Sequence, residues 1–233
     1  MYRITLQSST AFFKNDMTIT SIQQTYDCPP LSTIYGLISA AVGEKVEPIS
    51  VGYIFDYKYK TEDYELIIKQ LEKSNKQTYM ELAKAGRITS RHDVLQGCFG
   101  TIPIKREIMV KCKLYLYVED ESIAEAFKMP YYTLLLGRSE DLAFVKEVKK
   151  VELKEDCHNI TVGKTIIPFQ PKLEVFGRLC SMPVYITDEY PRKVTKAGVF
   201  MILQNDHQKI RNHNNMFLYD EELKKGVYIH KEK

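Results

Sequence analysis

The sequence contains no tryptophan, and no apolar run in its 233 residues approaches the roughly 20 that a membrane span requires. Met1-Tyr2-Arg3 leads straight into an alternating segment without the apolar core of a secretory leader, so a cytoplasmic protein with no membrane partner is expected. Five scattered cysteines (Cys28, Cys98, Cys112, Cys157, Cys180) form no CxxC pair, which argues against a disulfide framework or structural zinc and for a reducing compartment. The five histidines build no HExxH. A DxDxDG loop, a Walker A loop, GxSxG and a dinucleotide fingerprint are missing too. No cofactor is therefore expected. A metal-free ribonuclease is not excluded, because a general base, a general acid and a nearby cation leave little trace in sequence.

Charge of one sign is scarce overall, at a net +3, but it is unevenly spread. Lys84 to Lys113 holds seven basic residues against Asp93 and Glu107, and the rest of the chain is slightly acidic. A near-neutral protein with one basic segment suits a polyanion better than its total charge suggests; a solvated charged face is the competing reading.

The stretch QQTYDCPPLSTIYGLISAAVG, residues 23 to 43, predicts a helix. Pro29-Pro30 suit its approach, Ile34, Leu37, Ile38 and Ala41 form one apolar stripe, and Gly43 is placed to end it. Gly36 in the second turn costs about 1 kcal/mol against alanine. Either another segment of the chain packs closely there, or a ligand backbone passes a helix start that favours anions.

Alternation predicts strands over 3–9, 51–59 and 105–118. In the last, Cys112, Leu114, Leu116 and Val118 share a core face with Arg106, Ile108 and Val110. Lys111, Lys113, Tyr115 and Tyr117 share the other, an interleaving of cations and aromatics that suits phosphates and bases, or an ordinary half-exposed sheet face. ESIAEAFKMP reads as a short helix and YYTLLLG as a strand. Ser139 reads as an N-cap with Glu140 and Asp141 in a first turn. EDYELIIKQL fits strand or helix equally. The order β-α-β, insertion, β-α-β is the split plan of ferredoxin-like and RRM-type domains. The expected class is α+β: a ferredoxin-like domain over 1–155 with a β-hairpin thumb inserted at about 61–104, then a smaller β-rich extension over 156–233.

Three stretches together resemble the CRISPR-associated Cas "five" family of the RAMP superfamily: TYDCPPLSTIYGLISAAVG, KREIMVKCKLYLYV and YYTLLLGRSEDLAFVKEV. They span about residues 1–155 in the family's order, and the type I-B branch looks nearest. The resemblance implies a non-catalytic subunit of Cascade. Such a subunit grips the 5′ handle of the crRNA, caps the backbone filament beside the backbone and large subunits, and leaves contact with target DNA open. One branch cleaves precursor crRNA with a tyrosine and a Lys-His pair; Val42 stands where that tyrosine would align. The alternative is a metal-independent endoribonuclease using Tyr26, Lys111 and His92. The residues expected on RNA are Lys14, Arg87, Arg91, Arg106 and Arg138 at phosphates, Ser32, Thr33 and Ser139 at helix starts, Tyr26 as a stacking ring, and Gly36 as a point of close approach.

Overall fold

The computed structural model describes residues 1–15, 22–70, 80–81, 84–86, 99–155, 159–170, 175–189, 191–203, 208–212 and 215–231. They form two compact units, Met1–Lys14 with Thr25–Thr61 and Ile108–Lys233, and Asn15–Gln24 with Glu62–Glu107.

The first unit is built on β1 (Tyr2–Ala11), whose Ile4 and Leu6 are fully buried. Next in chain order come β2 (Ile22–Gln23), α1 (Leu31–Val42), β3 (Val51–Asp56), β4 (Tyr59–Gln70), β5 (Phe99–Val118) and α2 (Glu121–Ala126). β6 (Ala143–Lys150), β7 (Leu153–Lys154), β8 (Asn159–Val162) and β9 (Ile166–Pro168) follow. The last strands are β10 (Gly177–Ile186), β11 (Val194–Leu203), β12 (Gln208–Arg211), β13 (Phe217–Asp220) and β14 (Lys225–His230). The main sheet runs β12-β8-β14-β3-β5-β1-β6, and β10-β11-β9 form a second sheet. β1 lies between β5 and β6, antiparallel to both, and β3 is antiparallel to β5.

Helix α1 follows its apolar stripe. Ile34, Leu37, Ile38 and Ala41 enter the main core with Leu6, Leu114 and Leu116 of the large sheet and Met182, Phe200 and Ile202 of the small one. Each such aliphatic side chain contributes about 1.5–3 kcal/mol by leaving water. Tyr35, off the ideal stripe, is also buried, and its hydroxyl donates to the Ile49 carbonyl at 3.2 Å. Gly43 ends the helix at φ 94°, donating its N–H to Ser39 at 2.8 Å.

Several sequence readings need correction. YYTLLLG is not a strand: only a single bridge, Leu135 to Leu142, forms there, and the strand beside β1 is β6, one segment later. Ser139 starts no helix; residues 139–140 form a turn. Residues 108–233 group with the N-terminal strands, and β14, in the C-terminal extension, pairs with β3 in the same sheet. Of the undecided EDYELIIKQL, residues 62–70 belong to β4.

The largest departure is on β5. Its Lys/Tyr face is covered at one end: Tyr117 is fully buried and the half-buried Tyr115 packs beside it, against Val151 and Val227, while Lys111 is exposed. The alternation also breaks at Lys111, whose φ is 57°, and Met109 joins the same core as Cys112 and Leu114. Tyr117 donates its hydroxyl to Asp220 at 2.8 Å, and Arg3 donates to the same carboxylate oxygen at 2.8 Å and to Glu222 at 2.6 Å. Burial opposes the charge on Arg3, but the bonds to Asp220 and Glu222 outweigh it and raise its pKa. Burial and then the Asp220 charge push the Tyr117 phenol up.

In the second unit, β2 runs parallel to β5, setting Gln23 against Arg106. Arg106 is buried and donates to Gln23 at 3.1 Å and to Glu65, while Lys105 reaches Glu62 at 2.7 Å.

Candidate nucleic-acid interface

The segment before α1 is held from below by β3. Tyr53 donates its hydroxyl to the Pro29 carbonyl at 2.6 Å, Tyr57 donates to Asp27 at 3.2 Å, and Lys60 pairs with Asp27 at 2.7 Å. The polar residues ahead of the helix therefore serve as anchors. Tyr26 is one of them: it is buried, and its hydroxyl donates to the Ser181 carbonyl at 3.0 Å. Its ring is enclosed in the main core, 4% exposed.

Gly36 behaves differently. It is exposed, and a Cβ built on it would meet nothing within 4 Å. No segment of the described chain packs there, so the close-packing explanation fails. Two adjoining clefts, of about 400 and 280 Å³, meet along this side of α1, and Ser32, Gly36 and Ala40 line both. Thr33 lines the smaller. Thr133, Leu135 and Gly137 also line the smaller cleft, and Tyr132, Tyr185 and Thr187 the larger. Ile186 and the exposed Arg192 border both clefts. No side chain caps the helix start at Pro30.

The remaining expected residues scatter. Lys14 is exposed. Arg138 is tied to the fully buried Asp141 through its backbone N–H and two side-chain bonds, each 3.1 Å, so its charge is locally answered. Ser139 is exposed and bonded to its neighbour Glu140 at 3.2 Å. Arg106 is enclosed and paired with Glu65. Glu62 and Glu65, outside the window that was counted as basic, answer two of its charges. Arg87, Arg91 and His92 lie outside the described residues. Lys45, Tyr132, Tyr185 and Arg192 went unread in the sequence, because nothing local marks a residue whose neighbours come from three distant segments. Among the described residues no cluster of His, Cys, Asp or Glu could hold a metal ion, and no helix is long and apolar enough to cross a membrane.

The profile of the family described as CRISPR-associated protein (Cas_Cas5) matches residues 1–174. The chain belongs to that family. Among solved structures, the Cas5-family chain is similar to one described as a CRISPR RNA-guided surveillance complex, with a TM-score of 0.54, 13% identity and 90% of each chain covered. It is also similar to a chain of the Type III-B Cmr-beta complex bound to cognate target RNA, with a TM-score of 0.50, 9% identity, and 86% of this chain and 84% of that one covered. A CRISPR protein from Archaeoglobus fulgidus aligns over 99% of this chain and 98% of its own, at 14% identity and a TM-score of 0.48. At such identities the likeness speaks to the fold. No curated protein matches the sequence.

Proposed function

We propose that this Cas5-family chain is a non-catalytic crRNA-binding subunit of a type I Cascade, of type I-B kind. In this reading it works in the cytoplasm, grips the 5′ handle of the crRNA and caps the backbone filament next to the backbone and large subunits. The family match over residues 1–174 carries the reading. The open side of α1 supports it, with Gly36 and Ser32 exposed to a groove rather than packed against the chain. The strand order β3-β5-β1-β6, with α1 between β1 and β3 and α2 between β5 and β6, supports a ferredoxin-like split as the RNA-binding scaffold. Residues 62–107, a compact unit of their own together with 15–24, fit the role of an inserted thumb. The non-catalytic part of the proposal draws on the enclosed Tyr26, whose hydroxyl is already spent on a backbone carbonyl.

Copurification from the native host tests the assignment. A defined short RNA and partner subunits should come down with the chain; an RNA-free monomer as its sole native form overturns it. Incubating the purified chain with repeat-containing precursor RNA in EDTA tests catalysis. Intact, tightly bound RNA is expected, and a single specific cut abolished by Lys111→Ala would make it an endoribonuclease.

A further inference from the structure

The larger cleft beside α1 differs in character from the smaller one. Its far end is aromatic. Tyr131 and Tyr132 follow α2 and are strongly exposed, at 71% and 58%, with ring centroids 4.7 Å apart in an edge-to-face pair. The backbone that carries them is hydrogen-bonded to α1. Tyr131 donates its N–H to the Ala41 carbonyl at 3.0 Å and Tyr132 to the Ala40 carbonyl at 2.9 Å. Two carbonyls that end α1 are thereby satisfied, and the backbone that carries both rings is tied to the helix end. Gly43 confirms the closeness: a Cβ there would lie 2.6 Å from Tyr131 Cγ.

Across the same cleft stands Tyr185, itself locked. Its hydroxyl donates to the Val46 carbonyl at 3.3 Å, its ring meets Tyr35 edge-on, and the Lys45 ammonium lies 4.9 Å from its centroid. The charges around this end balance, Lys45 and Arg192 against Glu44 and Asp188, and Lys45 is 3.7 Å from Asp188. A phosphate gains little in such a place. A flat, neutral, aromatic group gains much, because a pre-ordered ring gives up little rotamer freedom on binding.

We infer that the Tyr132 end of this cleft is a base-stacking subsite, taking one unstacked nucleobase of the single-stranded RNA whose backbone passes Gly36. The inference rests on the RNA-binding reading above and adds a second kind of contact to it. The sugar-phosphate chain runs along the small residues Ser32, Gly36 and Ala40, and a base turns into the wider volume of about 400 Å³ beyond them. Stacking of this kind tolerates any base and is largely independent of salt, unlike phosphate contacts.

The test uses the full chain and a single-stranded RNA decamer, with a series of decamers carrying one abasic site at each successive position. Binding is measured by fluorescence anisotropy at several salt concentrations, and folding of each variant by circular dichroism. Tyr132→Ala should weaken binding of the intact decamer about tenfold and leave the salt slope unchanged. One abasic position should weaken the wild-type chain similarly and have no further effect on the variant. Tyr132→Phe, which keeps the ring, should bind normally. If the wild-type chain binds the decamer and Tyr132→Ala binds it equally well, the stacking subsite is wrong while the RNA-binding reading stands. If the wild-type chain binds no RNA alone or within its native complex, both fall together.

Discussion

Helix α1 and the part of strand β5 from Ile108 onward belong to the same compact unit, yet their outer faces meet opposite fates. The helix turns Ser32, Gly36 and Ala40 outward, and no described segment covers Gly36. The strand turns Tyr115 and Tyr117 outward, and Val151, Leu153, Leu223 and Val227 close over them. Side-chain size explains the difference. A stripe of glycine, serine and alanine offers too little apolar area to draw a covering segment. Two tyrosines on a rigid strand, each burying on the order of 150–250 Å², can hold one. Availability for a ligand thus follows from what a face cannot attract from its own chain.

The largest effect should come from unfastening the cover over β5. Asp220→Ala leaves the Arg3 guanidinium, only 5% exposed, without its buried partner, and takes the acceptor from Tyr117. Urea unfolding should report a loss of about 3–5 kcal/mol. A loss under about 1 kcal/mol would mean that the apolar contacts alone hold the cover in place.

A smaller effect should appear through β14, the strand that carries Val227. Burial lowers the pKa of His230 from its ordinary 6.5 to about 4, among Tyr53, Phe200 and Tyr228. The folded chain holds it neutral, so between those values the unfolded chain binds the extra proton. Stability should be full above pH 6.5 and decline as pH falls to 4, by about 3 kcal/mol from this group. Urea midpoints across that range should decline less in His230→Phe. Parallel pH curves for the two proteins would show that His230 does not titrate this way.

The smallest effect probes the open face, and its sign is opposite. Gly36→Ala should stabilise the chain by about 1 kcal/mol, since the added methyl meets nothing within 4 Å. The same variant should bind the handle RNA a few-fold more weakly if the backbone passes there. A stabilised variant with undiminished affinity would place the RNA elsewhere and make the two faces alike in function.

Much of the framework was legible from local pattern. The stripe Ile34, Leu37, Ile38, Ala41 gave α1, Gly43 its end, and the alternation around Ile4 and Leu6 gave β1, because each is written within a dozen residues. What failed was written at long range. Tyr117 reads as exposed until Asp220, 103 residues away, is placed beside it, and the pairing of Arg106 with Glu65, 41 residues away, has no local mark either. YYTLLLG has the composition of a strand, yet its first two amide groups cap the end of α1 instead. The groove itself draws walls from α1, from the segment after α2 and from the end of β10, so no window of sequence contains it.

The place of β14 also bears on how the chain is made. It sits between β8 and β3, pairing Ile229 with Gly52 and His230 with Val51. β3 is apolar through Val51–Phe55 and buried throughout. During synthesis the Val51–Gly52 end of that edge waits for Ile229 and His230, about 170 residues later, while Phe55 donates its N–H to the earlier Lys164 carbonyl at 2.8 Å. At 5–20 residues per second the wait is roughly 9–35 s. An unpaired apolar edge invites pairing with other nascent chains, so the yield of this protein should depend on how fast it is translated and on what shields β3 in the interval.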